Sequence, residues 1–356
     1  MKNNNMYYHF EDDLSNYPDA WCYVVWSARG KGKTYSALKY SYEEKIPIVY
    51  MKRTIEDVQL ICSSNAYGFD PSPYVPINRD HHYDIHAKSI ENGIGGFWAF
   101  EDGEPSGLPF AYCLAESAIK KFKGFDFSRC DWIVFDEFIP QLGERISRKE
   151  GELLLDLYMT IARDRQKRGK KPLKLILFAN AEEISTPITN TLEIVDIMAD
   201  LNASGRTHFY DNERGILLHH ITAQEFPLQE EEKAGIYAAM KNTAWGAKSF
   251  EGSFSNNDFS NVDMQSIKKM RPFIHLHKDN HDYYIYLHKE SGMYYMCESR
   301  GKCLFEYDLN RENGQKKFYL EHQADLRDSC IEDKMKFQKY SMYDLIMNFK
   351  KFYNIY

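Results

Sequence analysis

One short stretch near the start of the chain, Ser27-Ala28-Arg29-Gly30-Lys31-Gly32-Lys33-Thr34, has the residue types needed to hold a polyphosphate. Gly30 and Gly32 let the backbone approach an anion closely because they carry no Cβ, and the amides that open a following helix point at the bound oxygens. Lys33 would neutralise the β- and γ-phosphates, and the Thr34 hydroxyl would ligate Mg²⁺. Ser27 stands where the pattern G-x-x-x-x-G-K-[ST] has its first glycine. A basic surface turn can share the Gly-Lys-Thr letters, so the stretch needs context.

Trp132-Ile133-Val134-Phe135-Asp136-Glu137 supplies it. The unbroken apolar run fits a strand buried on both faces, and carboxylates at its C-terminal end fall where α/β sheets place ligands. Asp136 would hold Mg²⁺, directly or through water, and Glu137 would polarise the water that attacks the γ-phosphate. The plainer alternative is a strand followed by an acidic turn. Lys174-Leu175-Ile176-Leu177-Phe178-Ala179-Asn180 reads as another buried strand. The Asn180 amide could orient the attacking water, or Asn180 could simply form a turn.

Before that strand lies a basic run, Arg163-Asp164-Arg165-Gln166-Lys167-Arg168-Gly169-Lys170-Lys171. An arginine there could reach a neighbouring subunit's nucleotide, the lysines could follow a DNA backbone, and a solvated face is the third reading. Lys120, Lys121 and Lys123 alternate with aromatics in a segment that could touch a nucleic-acid backbone but reads by default as an exposed turn. His81, His82 and His86 lack a matching ligand cluster and read as loop residues. Cys297 and Cys303 read as buried apolar fillers.

These residues need elements to position them. Tyr23-Val24-Val25-Trp26 reads as the strand before the glycine loop and Tyr35–Tyr40 as the helix after it, with Ile46–Met51 a second buried strand ended by Lys52-Arg53. Residues 66–109, rich in Gly, Pro, Asp and His, read as loops and short hairpins. Phe110–Leu114 is a further apolar run, Glu152–Ala162 has helical spacing, and residues 205–222 read as a hairpin turning at Asp211–Gly215. A charged segment and a Gly-, Ser- and Asn-rich one place a linker at 227–262, between a domain at 1–226 and a smaller one at 263–356. Strands near 273–277, 283–288, 294–297 and 304–307, then a helix with Met342, Leu345, Ile346, Phe349 and Phe352 on one face, make the smaller domain α+β. Its scattered Asp282, Asp308 and Asp325 do not suggest a nuclease metal site.

The chain has 356 residues, 43% of them hydrophobic, enough for a full core and two domains. Seven cysteines without a C-x-x-C pair fit a reducing compartment better than a disulfide framework or zinc ribbon. A polar, acidic start and the absence of a long apolar run lead us to expect a soluble intracellular protein with no membrane partner. The net charge of -7 argues against a protein that coats nucleic acid all over, while permitting local basic surfaces.

Taken in order and spacing over residues 20–185, these motifs resemble the DNA-packaging ATPases of phi29-like tailed bacteriophages, ring motors related to terminases. The matching residues are Ala28-Arg29-Gly30, Gly32-Lys33-Thr34-Tyr35, Ile133–Ile139, Arg163-Asp164-Arg165 and Asn180-Ala181. The resemblance implies an additional-strand P-loop ATPase whose mostly parallel sheet is sandwiched by helices, followed by a reduced ribonuclease-H-type domain without nuclease chemistry. It implies a ring, a pentamer, on the portal of an empty prohead in the host cytoplasm. That ring would use ATP and Mg²⁺ to drive double-stranded DNA inward regardless of sequence, with a scaffold RNA left open as a further partner.

Residue by residue, the resemblance gives Lys33 and Thr34 to phosphate and Mg²⁺, Asp136 to the metal, Glu137 to catalysis, Arg163 to a trans-acting arginine finger and Arg29 to sensing nucleotide or neighbour. Two other readings use the same motifs: an AAA-type or conjugative DNA motor, and a non-motor nucleotide switch or small-molecule kinase.

Overall fold

The computed structural model describes residues 7–64, 68–141, 143, 144, 146–227, 234–254, 257–353 and 355, with backbone alone at 122–124, 244 and 248. It divides into two compact units, Met1–Leu192 with Asp200–Asn256, and Glu193–Ala199 with Asn257–Tyr356.

The first unit is built on a ten-stranded sheet. Strands β1 (Cys22–Ser27), β2 (Ile48–Lys52), β3 (Ile85–Glu91), β4 (Ile94–Glu101), β5 (Glu104–Pro105), β6 (Ala111–Ala115), β7 (Trp132–Asp136), β8 (Lys174–Asn180), β9 (His208–Asp211) and β10 (Ile216–Ile221) follow one another in the chain. Across the sheet they run β3-β4-β6-β2-β7-β8-β1-β10-β9, with β5 on β4. The stretch from β6 to β10 is parallel throughout. That explains the unbroken apolar runs: every residue of β1 and of β10, and the interiors of β7 and β8, are buried.

β8 lies between β1 and β7, pairing with both. The strand before the glycine loop therefore does not touch the strand that carries Asp136. Their C-terminal ends still open on the same edge of the sheet, where parallel strands present ligands.

The opening residues contribute more than their polar composition suggests. Helix α1 (Phe10–Asn16) buries Phe10 and Asp13, and the Phe10 ring meets Tyr23, Trp132 and Phe178 edge to face. Residues 66–109 are more regular than the loops expected of them. Val75–His81 is helical with proline in its first turn, and β3 and β4 form an antiparallel pair that extends the sheet. Gly95 in β4 is a close approach, since a Cβ there would lie 2.5 Å from Cys62 Sγ. His81 bonds the Tyr35 hydroxyl at 3.1 Å, and His86 pairs with Asp70 and Asp84.

The second unit carries a five-stranded sheet in the order Phe305–Asp308, Met270–Lys278, His281–His288, Tyr294–Cys297, Met335–Phe337, with antiparallel pairs at its centre. Helices Glu312–Phe318, Ala324–Ile331 and Tyr340–Met347 accompany it. Among the described residues, no helix is long and apolar enough to cross a membrane.

Candidate nucleotide site

At the C-terminal end of β1 the chain turns through Gly30 and Gly32, at φ 75° and 84°, into helix α2 (Lys33–Glu43). Both values lie in the left-handed region that glycine enters without strain. The Lys33 ammonium folds back over the loop, buried, and donates to Ser27 Oγ and, at 3.4 Å, to the Ala28 carbonyl. Ser27 Oγ in turn donates to the Ala28 carbonyl at 2.5 Å. The residue that departs from the glycine pattern thus props the lysine from below. Burial pushes the Lys33 ammonium down to about 8, against the pull of Asp136 and Glu137.

Thr34 Oγ1 donates to Asp136 Oδ1 at 2.8 Å, so the start of α2 meets the end of β7 across the intervening β8. Asp136 Oδ2 accepts from the Tyr50 hydroxyl at 2.9 Å, which fixes the carboxylate plane. An octahedral ion with bonds of about 2.0–2.1 Å places neighbouring ligands about 2.9 Å apart, so these two hard oxygens suit Mg²⁺.

Glu137 follows at φ 58°, a backbone state uncommon outside glycine. Two basic residues at the end of β2 hold it there. Lys52 Nζ lies 2.7 Å from Glu137 Oε2 and 3.5 Å from Asp136 Oδ2. The buried Arg53 guanidinium donates to the carbonyls of Glu137 at 3.2 Å and Phe138 at 2.6 Å, and pairs with Glu150. Burial works against the Lys52 charge, yet the two carboxylates outweigh it and hold its ammonium above its ordinary range. Sequence reading treated Lys52-Arg53 only as a strand end. The signal was there: β2 is the neighbour of β7, and paired carboxylates at a strand end need a counter-charge.

One pocket is lined by Arg29, Gly30, Lys31, Gly32, Lys33, Thr34, Asp136, Glu137 and Asn180, and a second shares Asp136, Glu137 and Asn180 with Lys52 and Arg53. Asn180 is in register with Ser27 on the adjoining strand, which brings its amide to the same edge. Arg29 is largely exposed and lies 3.8 Å from Glu182. The Lys31 ammonium donates to the Phe226 carbonyl at 2.8 Å.

Arg163 lines neither pocket. It follows the last turn of helix Glu150–Ala162 as its C-cap, at φ -53° and ψ 131°, and is exposed. Arg165 is a structural residue instead, buried and donating to the carbonyls of Cys130 and Lys171 and to Asp131. Of the lysines considered for DNA, Lys120, Lys121, Lys167 and Lys171 are exposed, whereas Lys170 donates to the Ser128 carbonyl at 2.8 Å. The Lys123 side chain lies outside the described residues.

Composition missed a further contributor. Gly252 and Phe254, read as part of a linker, pack against the end of β1 and the start of the loop. Gly252, at φ 71°, lies so close that a Cβ would approach Ala28 N to 2.5 Å. Its carbonyl bonds His220 Nε2 at 3.0 Å, and the Phe254 ring lies beside Trp26.

Fold and site together define a class: an α/β protein with a mostly parallel sheet, a glycine loop feeding a helix, and a carboxylate pair two strands away at the same sheet edge. Solved structures with this architecture narrow it further. A phi28 gp11 DNA packaging motor matches 99% of this chain and 100% of its own, at 16% identity and a TM-score of 0.63. The bacteriophage phi29 viral genome packaging motor assembly matches 98% and 100%, at 15% identity and a TM-score of 0.65. The chain has the fold of these packaging-motor proteins across both units. No protein-family model and no curated protein matches it by sequence.

Proposed function

We propose that the chain is an ATP hydrolase of the additional-strand P-loop class, working as a ring motor that drives double-stranded DNA into a viral prohead. The observation that carries this reading is the 2.8 Å contact of Thr34 Oγ1 with Asp136 Oδ1, made beside a buried Lys33 and across an inserted strand. The likeness in fold to phage packaging motors over nearly the whole chain supports the DNA-translocating role.

Catalysis here is positioning and charge stabilisation. The amides of residues 30–34 and the Lys33 ammonium would cradle the β- and γ-phosphates. Thr34 and Asp136 would hold Mg²⁺, which neutralises charge on the phosphate oxygens when bound. Glu137 takes a proton from the attacking water and must first leave its pair with Lys52, while Asn180 orients that water. Among the described residues, the arginine lining the pocket of the glycine loop is the exposed Arg29, while Arg53 of the adjoining pocket is engaged with the carbonyls of Glu137 and Phe138 and with Glu150. Arg163 supplies the transition-state arginine to the next subunit of a ring, a pentamer, which couples turnover to closure of the interface. On this reading residues 1–226 are the ATPase domain and 263–356 a reduced ribonuclease-H-type domain, the ring acts at the portal of a prohead in the host cytoplasm, and a scaffold RNA is a further partner to be sought.

Steady-state ATP hydrolysis, with and without double-stranded DNA of unrelated sequences, tests the reading. DNA of any sequence should stimulate turnover, and the stimulation should fade steeply between roughly 50 and 200 mM salt, because grip on phosphates releases counterions. Hydrolysis indifferent to DNA would favour a non-motor switch or kinase.

A further inference from the structure

On β9 and β10, beyond β1, lies a cluster that the hydrolysis chemistry does not use. His208 on β9 is directly opposite His219 on β10, so both rings lie on one face of the sheet with centroids 3.7 Å apart. Asp13 on α1 closes the group, with Oδ2 2.8 Å from His219 Nδ1 and Oδ1 3.4 Å from His208 Nε2. Among the described residues this is the only set of three His, Cys, Asp or Glu side chains whose ligand atoms all lie within 4.8 Å of one another. Asp13 and His219 are buried, in contrast to a solvated acidic patch.

We propose that Asp13, His208 and His219 bind one divalent transition-metal ion of the zinc type. Four-coordinate zinc with nitrogen and oxygen ligands at about 2.0–2.2 Å separates them by about 3.3 Å, which small side-chain rotations achieve here. Two imidazoles with one carboxylate favour zinc or cobalt over Mg²⁺ or Ca²⁺, which take all-oxygen sets.

The outer groups match such a site. The other nitrogen of His208, Nδ1, is 2.9 Å from Thr207 Oγ1, leaving Nε2 for the ion. The other nitrogen of His219, Nε2, is buried without a hydrogen bond and lies 3.5 Å from Glu225 Oε2. An ion on Nδ1 would fix the remaining proton on Nε2, facing that carboxylate, in the carboxylate-histidine-metal arrangement that orients ligating imidazoles. The Tyr8 hydroxyl donates to Asp13 Oδ2 at 2.6 Å and completes the shell.

The site also reaches the loop. Tyr8 N donates to the Lys31 carbonyl at 3.0 Å, and the Tyr8 ring meets both His219 and Phe226 edge on. Phe226 accepts the Lys31 ammonium. An ion that ties α1 to β9 and β10 therefore braces Lys31 from both its backbone and its side chain.

The test uses the full chain, stripped of metal and kept in excess Mg²⁺ so that oxygen-only sites are filled. Titration with Co²⁺ should give one equivalent with the visible bands of low-coordinate cobalt, displaced by Zn²⁺. His208→Gln should weaken binding by at least about 100-fold, and Glu225→Gln by about 10- to 100-fold. His208 is only half-buried, so that variant should keep the metal-free protein's near-ultraviolet dichroism. Thr34→Ala should leave Co²⁺ binding unchanged. Absence of a bound equivalent in the folded wild type, or a His208→Gln variant that binds as tightly, would overturn the site.

Discussion

The front and the back of the glycine loop are held by different chemistry. In front, Lys33, Thr34, Asp136 and Glu137 converge on a pocket, with Lys52 and Arg53 balancing the carboxylates. Behind it, Tyr8, Phe226 and Gly252 hold the same loop from three remote segments, by hydrogen bonds and close approach, with the His219 ring against Tyr8. In the proposed function the front acts on a ligand, whereas the back is packing that sets where the front stands. Front variants should therefore change turnover at nearly constant stability, and back variants should change stability and affinity together.

The largest expected effect lies at Arg163, a front residue only if the pocket is completed by a neighbour. Arg163→Ala should leave ATP affinity nearly intact and cut kcat by about 10³-fold or more, measured by single-turnover hydrolysis beside nucleotide titration. Equal loss of binding would make it a residue of its own subunit's fold. Next comes Glu137→Gln, expected to slow hydrolysis by about 10²- to 10⁴-fold while ATP stays bound to a DNA-associated ring. Rapid turnover by that variant would take the proton-accepting role away from Glu137.

At the back, Gly252→Ala forces a Cβ into a left-handed position and against Ala28. It should cost about 2–4 kcal/mol in denaturant unfolding and weaken ATP binding in parallel. Full stability with lost turnover would break the division between front and back. Lys31→Met is the mildest, at about 1.5 kcal/mol for a lost charged hydrogen bond to the Phe226 carbonyl. Should it abolish turnover as Lys33→Met would, the Lys31 ammonium serves the phosphates after all.

The front was largely legible in the sequence. Parallel strands buried on both faces leave unbroken apolar runs, so β1, β7 and β8 could be read, and polar residues at their ends mark the ligand edge. The position of β8 between the other two was not legible, because pairing order leaves no trace in a local pattern. Lys52 and Arg53 were passed over for the same reason, since their partners lie on β7. The back was almost wholly hidden. Gly95 and Gly96 read as parts of a loop-rich segment and Gly252 as part of a linker, though a Cβ at any of the three would meet a packed neighbour within 3 Å. His208 and His219 were read only as parts of a hairpin, and Asp13 only as part of an acidic start; nothing in sequence spacing joins them. The second unit's strands were found, while Met335–Phe337 and the helices over 312–331 lacked a clean period.

The central claim is that the front of one subunit is completed by Arg163 of the next. Steady-state ATP hydrolysis of wild type and Arg163→Ala mixed in varying proportion, with double-stranded DNA present, tests it most directly. Activity that falls more steeply than the wild-type fraction is the predicted result, because each inactive arginine silences a neighbour's intact pocket. Activity that follows the wild-type fraction in a straight line would contradict it and leave each subunit hydrolysing alone.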